Sequence, residues 1–142
     1  MTELTEELKN IVEPEPFEAW LLDSLEDILF VKDLLKNKID KASPENVKET
    51  AAEADSWYAR MTELLADANY YLDREEHENL IPKSKEFTDY DREIKLAYKC
   101  AIQRSIRDKV EGLVNGLQQR ISLCQSFLSF EKQFLFNEKG KV

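Results

Sequence analysis

A group of basic and aromatic residues in the last part of the chain has the composition of a nucleic-acid-binding surface. Arg92, Lys95 and Lys99 recur at steps of three and four residues, which bring side chains to one face of a helix. Tyr90 and Tyr98 flank them. Basic groups neutralise phosphates and aromatic rings stack on unpaired bases, and single-strand binding combines these two contacts. The sequence therefore predicts a surface for single-stranded DNA formed by Arg92, Lys95, Lys99, Arg104 and Arg107.

The charge of the chain is divided unevenly along its length. Residues 1–90 carry 10 basic and 23 acidic side chains, whereas residues 91–142 carry 10 basic and 6 acidic ones. The net charge of -9 argues against tight, unaided binding to duplex DNA, whose phosphates are also negative. Two interpretations stay open. The basic side chains form a solvent-exposed helix surface and pair with the acidic part of the chain, or they bind single-stranded nucleic acid. An acidic surface also suits docking to a basic protein partner.

The sequence contains no arrangement typical of a catalytic or metal site. His77 is the single histidine, which leaves no histidine pair for zinc and no convincing catalytic triad. Glu75, Glu76 and Glu78 surround it, but neighbours in sequence do not converge on one ion. We therefore expect a protein that is not an enzyme and that uses no metal and no cofactor.

The two cysteines and the start of the chain indicate a compartment. Cys100 and Cys124 fall within one predicted helix, about 36 Å apart at 1.5 Å per residue, which is too far for a disulfide. Free thiols fit a reducing cytoplasm. The acidic start has neither the basic region nor the apolar core of a secretory signal, and no segment is apolar enough to span a bilayer. We expect a cytoplasmic protein without membrane contact.

The scarcity of turn residues predicts an all-α fold. The 142 residues include 3 Gly and 4 Pro, which argues against sandwiches, barrels and Gly-rich phosphate loops. Ser43 followed by Pro44, and Thr88 followed by Asp91, are typical helix starts. The expected organisation begins with a short helix (Leu4–Val12) and a proline linker within 1–16. One elongated helical domain, 17–142, follows, with two or three long helices. These helices are expected at about 17–41, 44–75 and 89–137, with a loop at 76–88.

The last predicted helix is too long for a compact chain of this size to cover. About 50 residues would form a rod of roughly 70 Å. Its apolar residues repeat at intervals of eleven, as in Ile106, Leu117 and Leu128, a period that favours straight or right-handed packing. Near its end the helix is apolar on all sides and must be buried. We therefore expect a homo-oligomer with coiled-coil-like helices, whose interface includes Ile106, Val110, Leu113, Leu117, Ile121, Leu128 and Leu135.

Two features stand out in residues 57–142. The segment from Ala66 ends a helix with an aromatic pair, Tyr70 and Tyr71, and the segment 107–121 has small residues inside an apolar stripe. In these features residues 57–142 resemble the UvsY-type recombination mediators of T-even bacteriophages, short helical proteins that form ring-like homo-oligomers. The segment 107–121 resembles the family's oligomerising segment. The family's basic residues just before the aromatic pair are not matched in 64–69, so the contact with DNA would shift to Lys95, Lys99, Arg104 and Arg107.

The resemblance implies a non-enzymatic role. The chain would bind single-stranded DNA already coated by a binding protein and help to load a strand-exchange recombinase. The recombinase and the single-strand binding protein would be its partners, in addition to further copies of itself. The alternative is an acidic helical oligomeric adaptor or inhibitor that acts through protein–protein contacts. Its contact region would be Glu75, Glu76 and Glu78 together with the acidic face of the helix predicted at about 17–41.

Overall fold

The structure is a computed structural model that describes residues 16–80 and 88–140. Within these ranges the chain forms four α-helices and no strand, which confirms the predicted all-α fold. No helix among the described residues is both long and apolar enough to cross a membrane. The predicted helix Leu4–Val12 lies outside the described residues, as does the larger part of the predicted loop at 76–88. In chain order the helices are α1 (Pro16–Leu34), α2 (Pro44–Glu78), α3 (Asp89–Lys99) and α4 (Ala101–Gly140).

Side-chain caps determine where α2 and α3 begin. The Ser43 hydroxyl accepts a hydrogen bond from the Asn46 N–H at 3.2 Å, with Pro44 as the first helical residue. Thr88 caps α3 and forms a reciprocal capping box with Asp91. Each cap satisfies backbone N–H groups that have no partner within the helix. Both predicted helix starts are confirmed.

The end of α1 differs from the prediction, because the helix ends at Leu34 instead of near residue 41. The N–H groups of Lys36 and Asn37 bond to carbonyls three residues back at 3.1 Å, which tightens the turn. Arg120 of α4 is 8% exposed, and its guanidinium donates to the carbonyls of Leu34 (3.2 Å) and Asn37. A cation is favourable at a helix C-terminus, where the carbonyl dipoles point. A buried arginine thus bonds the carbonyl of the last residue of α1 and one carbonyl of the turn that follows it.

The single helix predicted at 89–137 is interrupted at Cys100, which separates α3 from α4. The backbone of Cys100 has φ of -102° and ψ of 13°, outside the usual α-helical values. Its side chain is fully buried, whereas α3 contains no buried residue, so the interruption lies where the chain leaves the core. Apolar residues at four-residue steps continue across Cys100, and the sequence pattern therefore does not reveal the break.

The core lies between α1, α2 and α4. Trp20 near the start of α1 bonds Asp67 in the second half of α2 at 3.1 Å, so these two helices are antiparallel. Glu76 near the end of α2 pairs with Arg104 near the start of α4 at 3.0 Å, so these two are antiparallel as well. It follows that α1 and α4 run parallel. The core side chains with at most 1% exposure include Val31, Met61, Leu64, Val110 and Leu117.

Gly112 and Gly116 lie one helical turn apart in α4, a spacing that predicts a close helix contact or a local kink. The structure confirms the contact at Gly116, where an added Cβ atom would lie 2.8 Å from Cδ1 of Leu35. At Gly112 an added Cβ atom would meet nothing within 4 Å among the described residues. Gly116 therefore allows the segment after α1 to approach α4, whereas Gly112 has no such neighbour in the part of the chain that the structure describes.

Replacing Gly112 with Ala is expected to stabilise the fold by about 1 kcal/mol, because alanine has the higher helix propensity and the methyl group has room. At Gly116 the same replacement is expected to give no gain or a loss, because the methyl group must displace Leu35. Urea unfolding of the two variants measures the difference. Equal stabilisation at both positions would contradict the close contact at Gly116.

Cys100 and Cys124 are buried, free thiols, as predicted. Burial raises the pKa of both, and the nearby carboxylate of Glu76 raises the pKa of Cys100 further. Desolvation disfavours the thiolate, so both groups stay protonated at neutral pH. The two cysteines therefore act as small apolar core residues.

Candidate nucleic-acid interface

An exposed apolar stripe runs along α3 and continues into α4. Tyr90, Ile94, Tyr98 and Ile102 follow one another at four-residue steps and are 71%, 50%, 85% and 65% exposed. Residues four apart lie on the same side of a helix. No residue of α3 is buried, so this side of the helix has no cover within the described part of the chain. A continuous stripe of exposed large apolar side chains is typical of a binding surface.

Two lysines lie beside this stripe. Lys95 and Lys99 directly follow Ile94 and Tyr98 in sequence, and both are exposed. One residue corresponds to about 100° around a helix, so the two ammonium groups lie to one side of the apolar stripe. Tyr90 and Tyr98 are about 12 Å apart along the helix axis. The face thus has two rings that can stack on bases and two cations that can contact phosphates.

Arg104 belongs to the contact between α2 and α4. Its guanidinium donates two hydrogen bonds to one carboxylate oxygen of Glu76, at 3.0 and 3.3 Å. Both side chains are about one-third exposed, 35% and 31%, so solvent screens the pair only in part. Arg104 therefore holds the start of α4 against α2.

Arg92 and Arg107, the other two arginines of the predicted surface, have local partners. Arg92 lies within 3.4 Å of Asp89 in the same turn, and its side chain is 23% exposed. Arg107 lies 2.7 Å from its neighbour Asp108. Exposed pairs of this kind contribute about 1 kcal/mol or less. Of the five predicted residues, Arg92, Lys95 and Lys99 lie on α3 with the two tyrosines, whereas Arg104 and Arg107 lie on α4.

Charge is segregated along α3. Asp89 and Asp91 lie in its first turn, and the Asp91 carboxylate accepts a hydrogen bond from the Thr88 hydroxyl at 2.8 Å. Lys95 and Lys99 lie in its second half, and Lys99 is in the last turn. This order suits the helix dipole, which favours acids at the start and bases at the end. The two lysines of α3 therefore lie in the half of the helix that joins α4.

Much of the predicted oligomer interface lies in the core of one chain. Leu128 is half-buried and Leu135 is 49% exposed. Two further apolar residues in the second half of α4, Leu123 and Phe130, are 50% and 69% exposed. An interface between copies stays a prediction, for which this half of α4 has exposed apolar side chains. The predicted interface residues that lie in or against the core of the single chain are Ile106, Val110, Leu113, Leu117 and Ile121.

The glutamates around His77 have partners within the chain. Glu78 pairs with Arg74 at 3.1 Å, and Glu75 accepts a hydrogen bond from the C-cap asparagine at 2.9 Å. Glu76 is the partner of α4 described above. Within residues 16–80 and 88–140, no three His, Cys, Asp or Glu side chains are grouped so that they could hold a metal ion. The proposed acidic contact region at the end of α2 therefore takes part in intrachain contacts.

The aromatic pair that carries part of the family resemblance contributes to the packing of α1 on α2. The ring of Tyr71 lies 5.8 Å from that of Phe17 and 5.4 Å from that of Trp20, measured between centroids. Tyr70 is 60% exposed and lies edge-on to Tyr71 at 5.3 Å. Arg60, a basic residue upstream of the pair, bonds an aspartate of α1 at 3.0 Å. The rings of Phe17, Trp20 and Tyr71 thus pack α1 against α2.

The set of residues predicted from the sequence omitted Ile94 and Ile102. Their signal is the four-residue spacing that they share with Tyr90 and Tyr98, which the sequence shows. The same spacing is typical of a buried helix face, however, and only the structure shows that this face is exposed.

Comparison of the chain with protein-family models, with curated proteins and with solved structures finds no match. The likeness to UvsY-type mediators therefore rests on the sequence patterns described above. The candidate interface rests on the exposure and spacing of the side chains on α3.

Proposed function

We propose that the chain is a non-enzymatic recombination mediator of the UvsY type, which binds single-stranded DNA as a homo-oligomer. The observation that carries the proposal is the exposed face of α3, where Tyr90 and Tyr98 lie beside Lys95 and Lys99. The resemblance to the mediator family supplies the further role of loading a recombinase. It also supplies the two protein partners, the recombinase and the single-strand binding protein.

The two kinds of side chain contribute differently to binding. Stacking of a base on an aromatic ring contributes about 1–3 kcal/mol and tolerates any base. Phosphate contacts by lysine release counterions, which makes the affinity fall as salt rises. Neither contact depends on the base sequence of the DNA. Such binding suits a protein that coats or presents any single strand of DNA.

Self-association would strengthen a contact that is weak in one chain. α3 carries as many acidic as basic side chains, three of each, and the whole chain is negative. A single α3 therefore has little net attraction for a polyanion. Copies in one oligomer would bind one strand at several points, and linked sites bind far more tightly than each site alone.

Charge reversal on α3 tests the proposal. The double variant Lys95→Glu/Lys99→Glu is expected to lose affinity for a labelled single-stranded oligonucleotide by about tenfold or more at low salt. The control Lys38→Glu/Lys132→Glu makes the same change in net charge at exposed lysines away from α3. Fluorescence anisotropy measures the affinity, and light scattering measures the molar mass.

The control separates a local site from general charge. If the α3 variant binds as tightly as the unaltered chain, α3 is not the interface. If both double variants lose affinity equally, only the overall charge matters and the proposed site is wrong. The expected outcome is a loss confined to the α3 variant, with the molar mass unchanged.

A further inference from the structure

An apolar groove lies between α1 and α4. It has a volume of about 410 Å³. Its walls are formed by Leu21, Leu25 and Leu29 of α1 and by Ile106 and Leu113 of α4, and its rim carries Lys32 and Lys109. Gly112 lies in the α4 wall, where an added Cβ atom would meet nothing within 4 Å among the described residues. The groove is thus an apolar trough with two cations beside it.

Among the described residues no helix covers this groove, which lies where the fourth helix of a four-helix bundle would pack. α1 and α4 run parallel, and α2 packs antiparallel to both, as the contacts at Trp20 and Glu76 show. Among the described residues, those that line the groove come from α1 and α4 alone. In an up-down-up-down bundle, the remaining helix lies between these two and runs antiparallel to them.

The segment that precedes α1 has the pattern to occupy this position. Leu4, Leu8 and Ile11 recur at steps of four and three residues, which form one helix face. Residues 13–15 would be the connection to α1, a length that is common between antiparallel helices. A helix over 4–12 would be about 14 Å long, and the groove from Leu21 to Lys32 extends about 16 Å along α1.

The charges of the segment are complementary to those of the groove. Glu3, Glu6 and Glu7, together with Lys9, give residues 3–12 a net negative charge, whereas the groove rim has Lys32 and Lys109. An antiparallel alignment that brings residue 12 beside residue 21 also brings residue 8 beside residue 25 and residue 4 beside residue 29. The same alignment puts residue 3 beside residue 30, two residues from Lys32.

We propose that residues 4–12 of the same chain bind in the groove between α1 and α4 as an antiparallel helix and complete a four-helix bundle. Leu4, Leu8 and Ile11 would cover the apolar walls, and the glutamates would pair with Lys32 and Lys109. This proposal concerns the fold of the chain and does not depend on binding to DNA.

A zero-length carbodiimide cross-link, which joins a carboxylate and an amine in direct contact, tests the proposal on the full chain. Mass spectrometry is expected to find Glu3, Glu6 or Glu7 joined to Lys32 or Lys109. The variant Lys32→Arg/Lys109→Arg keeps both charges and has no reactive amine there, so these cross-links should disappear. Mixing ¹⁵N-labelled with unlabelled protein distinguishes the source of the segment. Cross-links between labelled and unlabelled peptides would show that a second copy supplies it and would overturn the proposal, as would the absence of any such cross-link.

Two pairs of variants test the apolar contact separately. Leu8→Asp places a charge on the apolar face of the segment, and Asn10→Asp adds the same charge on the opposite face. Gly112→Trp fills the groove, whereas Gly112→Ala adds one methyl group. The yield of the cross-links is expected to fall severalfold in Leu8→Asp and Gly112→Trp and to persist in the other two. An unchanged yield in Leu8→Asp would contradict burial of Leu8 in the groove.

Discussion

Replacement of Leu117 by Asp is expected to unfold the chain. Leu117 is fully buried and belongs to the core formed by α1, α2 and α4. Truncation of a buried leucine alone costs about 2–5 kcal/mol, and a carboxylate without a partner adds the cost of its desolvation. A domain is stable by about 5–15 kcal/mol in total, so a loss of more than about 5 kcal/mol removes most or all of that stability.

Circular dichroism and urea unfolding measure this effect. The matched control is Leu123→Asp, the same change six residues later in α4, where the side chain is 50% exposed. At low protein concentration this control is expected to stay within about 0.5 kcal/mol of the unaltered chain. A folded Leu117→Asp variant with near-normal helix content would contradict the intrachain core.

Removal of both stacking rings is expected to cause the largest loss of DNA affinity. Each base that stacks on an aromatic ring contributes about 1–3 kcal/mol, so Tyr90→Ala/Tyr98→Ala should weaken single-strand binding by about 30-fold or more. Stability should change little, because the two side chains are 71% and 85% exposed and take no part in the core. The loss would appear in the affinity and leave the fold intact.

Two variants make this result specific. Tyr90→Phe/Tyr98→Phe keeps both rings and is expected to keep most of the affinity. Tyr70→Ala removes a ring that is 60% exposed on α2, away from α3, and is expected to bind as the unaltered chain does. Equal losses in Tyr70→Ala and in the α3 variant would show that the rings of α3 have no special role.

The fold class and the helix starts follow from the sequence because they depend on local chemistry. Few glycines and prolines leave long helices as the available structure. Ser43 and Thr88 can satisfy the first N–H groups of a helix wherever the chain places them. The break at Cys100 and the early end of α1 could not be predicted, because they depend on burial of Cys100 and on Arg120, which is distant in sequence.

The apolar repeat in α4 predicts burial, but the partner that buries it depends on the tertiary structure. The repeat through Ile106, Val110 and Leu117 predicts that one side of α4 is buried, either against the same chain or against another copy. In the structure Val110 and Leu117 are fully buried in a core shared with α1 and α2, and Ile106 packs against that core and is half-buried. The sequence likewise shows the charge of Arg104 but not its partner Glu76, which lies 28 residues away and on another helix.

The unaltered protein offers the simplest test of whether the chain binds single-stranded DNA, as proposed for the exposed face of α3. The measurement is fluorescence anisotropy of a labelled single-stranded oligonucleotide, titrated at a low and a higher salt concentration, with the molar mass determined in parallel. We expect binding by an oligomer, with an affinity that falls as salt rises because counterions are released. Binding to a duplex of the same length is expected to be weaker. Absence of binding to the single strand at low salt would contradict the proposed function.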